Sequence, residues 1–227
     1  MPKGILFASN NLQIVKDGLR LYLDAALISS YPGSGTTWTD LSTTSNTTTL
    51  LNGPVYSAAD GGKISFDGTN DYATTTNTVG SVSAWTISAW INKPNTQRCY
   101  ILNNSGTVYF GLEIYETAVY ANIGNNIYSE TLYNINGWQH IVFVYDGSLT
   151  GNSNRLKVYI NSVLGSSTYV GTVPSSQDPS SVFAIGRRHW TNGFSKFDIS
   201  QLLMYNRALS ASEVVQNYNA IRSRYAI

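Results

Sequence analysis

"AWTISAWIN", residues 84–92, alternates strictly: Trp85, Ile87, Ala89 and Ile91 fall on one side of an extended chain, and Thr86, Ser88 and Trp90 on the other. Successive side chains of a strand point to opposite faces, so a period of two marks a strand with one face in a core. The pattern recurs on both sides of this stretch. "LRLYLDA" (19–25) sets Leu19, Leu21 and Leu23 against Arg20, Tyr22 and Asp24. "TVYFGLEIY" (107–115) sets Val108, Phe110, Leu112 and Ile114 against Thr107, Tyr109, Glu113 and Tyr115. "WQHIVFVYD" (138–146) and "RLKVYIN" (155–161) continue it, and the polar "GSLTGNSN" between them predicts a hairpin. "SVFAIG" and "DISQLLMYNR" close the series. So many alternating segments predict an all-β fold, antiparallel sheets packed face to face. Residues 141–145 and 199–205 are apolar on both sides, so those strands are expected to be covered on both.

One helix is expected. In "LSASEVVQNYNAIRSRY" (209–225), Ser210 and Glu213 stand at capping-box spacing, and Leu209 and Val214 at the spacing of a hydrophobic staple. Val214, Tyr218, Ile221 and Tyr225 form a stripe that would lie against the end of the sandwich. Residues 26–62 are rich in Ser, Thr and Gly; Tyr31, Trp38, Leu41 and Leu50 give them anchors, which predicts an ordered crossover rather than a disordered linker. Residues 1–17 read as an N-terminal arm, free or docked on a partner, and residues 18–227 as one domain.

Composition bounds the function. The 227 residues are 42% hydrophobic, enough for one substantial core, and only 12% charged, about half the usual share. A surface of Ser, Thr, Asn and Gln suits a protein packed among others or outside a cell. Net charge is +1 without a basic stripe, which argues against nucleic acid as a partner. The single cysteine, Cys99, excludes an intrachain disulfide and reads as a small buried hydrophobe. No apolar run reaches the ~18 residues of a membrane span. "MPKGILFASNNLQIVKDG" has too short an apolar stretch for a secretory signal, so an extracellular role would need another exit.

Catalytic constellations are scarce. Glycoside hydrolysis needs two carboxyl groups about 5–5.5 Å or roughly 6.5–9.5 Å apart. The glutamates are Glu113, Glu116, Glu130 and Glu213; the last belongs to the helix cap, and Glu113 and Glu116 would point to opposite faces of a strand. An acidic pair completed by an Asp from another strand stays open. No nucleophile elbow, phosphate loop, dinucleotide fingerprint or zinc spacing occurs. His140 sits in mid-strand and reads as structural; His189 falls in a loop.

Binding is better supplied. "IGRRHWTNGF" (185–194) gathers Arg187, Arg188, His189, Trp190 and Asn192 into one loop, and aromatic faces with planar donors are what sugar rings and their carboxylates require. The alternative is that Trp190 plugs the sandwich end while the arginines are solvated or hold other loops. Tyr115, Tyr120, Tyr128 and Tyr133 are a second candidate surface, although tyrosine is also a good strand former. "SFDGTNDYATTT" (65–76) puts Asp67, Asn70 and Asp71 on one loop. Calcium wants six to eight oxygens, and Asp67 and Asp71, with Asp24 and Asp40 elsewhere, are candidate ligands of a structural calcium. Alternatively the loop is a hairpin turn, with Gly68 at positive φ and Asp and Asn bonding their own backbone.

"FDGTNDY", "WTISAWI", "GWQHIVFVYDG", "LKVYINSVLGSS", "FAIGRR" and "ISQLLMYNRALSASEV" together resemble the laminin-G-like branch of the concanavalin A-like lectin/glucanase superfamily over roughly residues 18–222. The resemblance implies a two-sheet antiparallel jelly roll, a fold that hosts lectins, hydrolases and scaffolds. "DGLRLYLDA…SYPGSGTTWTDLS" is similar to virion structural proteins of tailed phages, notably those infecting marine bacteria and cyanobacteria. The family's usual F-x-G-x-I-D run is here "FSKFDIS", with Phe197 in place of glycine and Ser200 in place of an acid, which removes one candidate metal ligand. The resemblance implies a non-enzymatic virion surface protein, a capsid decoration or tail component that leaves the cell by lysis. Its implied partners are other virion proteins and cell-surface glycans, without nucleic acid or membrane, and a homo-oligomer would suit a symmetric particle. A stand-alone carbohydrate-binding lectin is the first alternative. A glycoside hydrolase with Glu113 as its best residue is the second.

Overall fold

A computed structural model describes residues 13–76, 82–94, 97–104, 110–124, 128–132, 137–177, 182–188 and 193–227. In chain order the strands begin with β1 (Leu19–Asp24), β2 (Thr48–Leu51), β3 (Val55–Ser57), β4 (Lys63–Asp67), β5 (Tyr72–Thr75), β6 (Ala84–Asn92), β7 (Cys99–Asn104) and β8 (Phe110–Tyr115). They continue with β9 (Ala118–Ile123), β10 (Tyr128–Leu132), β11 (Trp138–Asp146), β12 (Leu156–Ile160), β13 (Val163–Leu164), β14 (Ser167–Val170), β15 (Phe183–Ile185) and β16 (Lys196–Tyr205). A one-turn helix, α1 (Asn152–Arg155), sits in the β11–β12 hairpin, and α2 (Ala211–Ile221) follows β16.

Two eight-stranded antiparallel sheets result. The first runs β13-β12-β11-β6-β16-β4-β3, with β1 also on β16; the second runs β14-β10-β9-β8-β7-β15-β5-β2. They form the face-to-face sandwich that the alternation predicts, in keeping with the jelly roll that the family resemblance implies. Trp85, Ile87, Ala89 and Ile91 of β6 all enter the core between the sheets. There Trp85 meets Phe110 of the facing sheet at 4.2 Å and Phe143 of the neighbouring β11 at 4.6 Å, both edge to face. Complete burial of such side chains is the main favourable contribution, roughly 1.5–3 kcal/mol each.

Strand β16 is flanked on one side by β6 and on the other by two partners in succession, β4 along Lys196–Ile199 and β1 along Gln201–Tyr205. The register shifts between Ile199 and Gln201, and this bulge is where the partner changes. Ser200 sits there, buried, its hydroxyl donating to the Gly62 carbonyl at 2.7 Å. Gly62 has φ 105°, and a Cβ on it would lie 2.6 Å from the Ala26 Cα, so no other residue fits. The serine in place of an acid thus has a local structural reason.

The turn at 67–71 has the expected chemistry but not the expected pairing. The Asp67 carboxylate accepts the amides of Thr69, Asn70 and Asp71 at 2.7, 3.3 and 3.4 Å, and the Asp67 amide donates to Asp71 at 3.2 Å. Yet β4 and β5 are not a hairpin: β4 pairs with β3 and β16, β5 with β2 and β15, and the turn carries the chain from one sheet to the other.

The outer face of the first sheet is covered by the chain itself. Val142, Val144, Tyr159, Leu203 and Tyr205 pack under Leu209 and Val214. Trp90 and Trp138 pack under Ile221, with Tyr218 and Tyr225 beside them. Helix α2 therefore lies across that face, not at the sandwich end. Residues of the arm share it: Ile14 and Val15 are buried, the Val15 amide donates to Asn217 Oδ1 at 2.8 Å, and Tyr205 donates its hydroxyl to the Val15 carbonyl at 3.1 Å.

Candidate functional site

The outer face of the second sheet carries no such apolar cluster among the described residues, and its central side chains Tyr100, Glu113, Asn122 and Ala184 are buried all the same. The buried clusters occupy the interior and the outer face of the first sheet, and none sits on the outer face of β7–β10 among the described residues. Phe110, Leu112 and Ile114 of β8 and Val119, Ala121 and Ile123 of β9 point inward, so the residues between them point out. Register then assembles a row across four strands: Tyr100 opposite Glu113, Glu113 opposite Tyr120, Tyr120 opposite Glu130. In the adjoining row Gly111 stands opposite Asn122 and Asn122 opposite Tyr128, whose ring lies 5.4 Å from Tyr120.

At the centre of the first row, Glu113 is 1% exposed and its carboxylate is fully engaged. Arg98 forks onto both oxygens at 2.9 and 2.8 Å, and Asn122 Nδ2 adds a bond of 2.9 Å. The same guanidinium lies over the rings of Tyr100 and Tyr115 at 5.8 and 5.3 Å. Neighbouring side chains shield the aromatic edges, and burial pushes the Tyr100 phenol above its ordinary value while Arg98 and Arg188 beside it oppose the rise.

Arg187 and Arg188 reach this face from the end of β15. Gly186, at φ 79°, turns the chain: its amide donates to Tyr100 O at 2.9 Å, and a Cβ there would meet the Phe66 ring at 3.0 Å. The chain returns through Gly193, whose carbonyl accepts the Arg188 amide at 2.8 Å, with Arg187 and Phe194 bridged. Arg187 rests on Tyr72 at 4.9 Å and Phe194 at 5.4 Å, while Arg188 stands by Tyr100. The two arginines therefore lean on strands β5 and β7, either side of β15. His189, Trp190 and Asn192, proposed with them from the sequence, and Tyr133 lie outside the described residues.

Residues 67–215, from the turn after β4 into α2 and well over half of the chain, match the laminin-G-type model of the concanavalin A-like lectin/glucanases superfamily. The chain belongs to that superfamily. No curated protein sequence matches it. Among solved structures it is similar to the receptor-binding domain of botulinum neurotoxin type G, at 15% identity and TM-score 0.64, over 89% of this chain and 51% of that one. It is similar also to Trypanosoma rangeli sialidase in complex with sialic acid, at 17% identity and TM-score 0.63, over 92% and 34%. A further receptor-binding domain gives 13% and 0.69, over 94% and 53%. The chain spans from about a third to about half of these structures, and at such identities the likeness is one of fold.

Within this concanavalin A-like frame the four candidate calcium ligands serve the chain's own donors. Asp24, wholly buried, receives Arg224 Nη1 on both oxygens at 2.8 and 3.0 Å and Gln201 Nε2 at 3.0 Å. Asp40 organises its loop: burial would raise its carboxyl, but the amides of Ser42, Tyr22 and Asn46 more than offset this and hold it below the usual range. Asp67 is held low by the Thr69 amide foremost, whereas burial raises Asp71. Among the described residues no group of three or more His, Cys, Asp or Glu is placed to hold a metal ion.

His140 and Cys99 have structural surroundings. The imidazole is fully buried under α2, Nε2 2.8 Å from Ser88 Oγ and the ring stacked 5.0 Å from Trp90. Burial pushes the Cys99 thiol up, which leaves it protonated and unreactive. The sequence reading missed Arg98, Tyr100 and Asn122 as parts of a site. The available signal was Glu113, a carboxylate on the outward phase of an otherwise apolar strand, which requires a cationic partner if it is buried.

Proposed function

We propose that this protein binds carbohydrate on the outer face of its second sheet and does no chemistry on it. One observation carries the reading. Sheet pairing lines up Tyr100, Tyr120 and Tyr128 with Asn122 and the arginines at the end of β15 on the outer face of the second sheet, where Tyr120 and Tyr128 are half-buried and Tyr100 and Asn122 buried. Ring faces take the apolar side of a sugar, and amide and guanidinium groups take its hydroxyls. A neurotoxin receptor-binding domain and a sialidase holding sialic acid share the fold, which is in keeping with the reading and adds no residue to it.

The setting proposed is a virion surface, as a capsid decoration or tail-associated protein of a tailed phage, with other virion proteins and host glycans as partners. It rests on the sequence resemblance given above and on the weakly charged surface. The reading invokes no bound cation, and it is supported by the amides and the arginine that the candidate calcium ligands already accept. The test is a glycan array with the purified chain, repeated with EDTA, together with cryo-electron microscopy of the particle. Saccharide binding that survives EDTA is expected; an array without a hit would overturn the carbohydrate reading.

A hydrolase is the rival that one observation favours. Glu113 and Glu130 stand in one row with Tyr120 between them, two strand spacings or roughly 9–10 Å apart, near the upper limit for an inverting pair of about 9.5 Å. Against it, both Glu113 oxygens are occupied by Arg98 and Asn122. Reducing-end release from a bound polysaccharide, abolished in Glu113→Gln, would install the rival in place of the binding reading.

A further inference from the structure

The arginines of the described chain include some that are already matched and two that are not. Arg98, Arg207 and Arg224 are paired with Glu113, with Glu213 and Asp17, and with Asp24. Arg155 gives its donors to the Leu149 and Val173 carbonyls at 2.6 and 2.7 Å. Arg187 and Arg188 form no ion pair with any described carboxylate. The Nε of each is shielded from solvent and meets no hydrogen-bond acceptor. Buried donors of a permanently charged group are costly to leave unmatched, so their arrangement calls for an explanation.

Their seats supply one. A guanidinium laid on an aromatic ring is fixed in orientation, with its face on the ring and its row of N–H donors directed sideways. Arg187 is held this way on Tyr72 and Phe194, while Arg188 lies beside the Tyr100 phenol. Tyr72 and Tyr100 lie on strands either side of β15, roughly 9–10 Å apart by strand spacing. Two cations held at this interval are suited to the anionic substituent of a sugar. Glu113 does not cancel the field, because Arg98 already neutralises it.

The inference rests on the carbohydrate-binding reading and narrows it: we infer that the ligand is an acidic saccharide, whose carboxylate or sulfate is held by Arg187 and Arg188. The arginine fork matches either anion bidentately, whereas a neutral sugar would leave both charges uncompensated.

Isothermal titration of the full chain tests it with four probes: a uronate oligosaccharide, its carboxyl-reduced form, a sulfated galactan oligosaccharide and its desulfated form. At least one acidic probe is expected to bind at least tenfold tighter than its neutral counterpart, and which one does so tells carboxylate from sulfate. Arg187→Gln and Arg188→Gln are each expected to weaken that acidic probe by about tenfold or more, as for loss of a charge-assisted bond. Arg187→Lys, which keeps the charge and loses the fork, serves should a glutamine variant fail to fold; a several-fold loss is expected from it. Equal binding of acidic and neutral forms, or acidic binding unchanged in the arginine variants, would overturn the inference while leaving carbohydrate binding in place. Binding of no saccharide at all would overturn both.

Discussion

Asp24 shows how a single residue can be misread when its partner lies at the far end of the chain. Its carboxylate is wholly buried, and Arg224, 200 residues away, bonds both oxygens. A buried ion pair adds little net stability, but removing one partner strands the other charge in a poor solvent for it. Arg224→Ala is therefore expected to lower stability by about 3–5 kcal/mol, read as a shift of the urea midpoint. The cause can be separated from lost packing. If the stranded charge is the main cost, Asp24→Asn in the same chain removes it, and the double variant is more stable than Arg224→Ala alone. A double variant no more stable than the single one would assign the loss to the arginine's packing, which includes its stem against Gly61.

At the scale of elements, α2 is fixed to the sheet by groups that titrate. His140 beneath it is held neutral by burial, its pKa pushed down to about 3, and Glu213 in the cap is drawn down to about 2 foremost by the Arg207 side chain. Both values lie below those of the unfolded chain, so in each window the unfolded state binds the extra proton and stability falls with falling pH. The loss from His140 begins near pH 6.5 and runs toward about 3; the loss from Glu213 begins near pH 4.5 and runs toward about 2. Melting midpoints should fall steadily from pH 7 to 4, with a slope from His140 of at most roughly 1.4 kcal/mol per pH unit. His140→Gln should flatten the limb between pH 6.5 and 5; an unchanged limb would move the effect to another group. The elements themselves were legible: the period of two placed β6, β8 and β11, and Ser210 with Glu213 placed the start of α2. Sheet membership was not. Asp67 and Gly68 make a tight turn equally well within a sheet or between sheets, and only long-range pairing with Lys196 and Phe197 decides which. The arm was hidden for a similar reason, since Ile14 and Val15 are too short an apolar signal to announce docking on α2.

The molecule as a whole is two-sided: one outer face is packed under Ile14, Val15 and α2, and the other carries the tyrosine row with Arg98, Arg187 and Arg188. Arg187 and Arg188 could be read from the sequence as a loop cluster, but Arg98 and Asn122 could not be joined to Glu113 without the register that places β7, β8 and β9 side by side. This asymmetry sets where a ligand should leave its mark. Hydroxyl-radical footprinting reads side-chain accessibility over the whole surface at once, and tyrosine reacts readily. Tyr115, 41% exposed, and the half-buried Tyr120 and Tyr128 belong to the second sheet, whereas Tyr22 and Tyr56 are half-buried in the first. With a bound saccharide, oxidation of Tyr120 and Tyr128 is expected to fall severalfold, with Tyr115 following if the ligand extends along β8, while Tyr22 and Tyr56 stay as they were. Protection of Tyr22 or Tyr56 alone would put the ligand on the side that α2 occupies, and the tyrosine row would then be strand chemistry with no part in recognition.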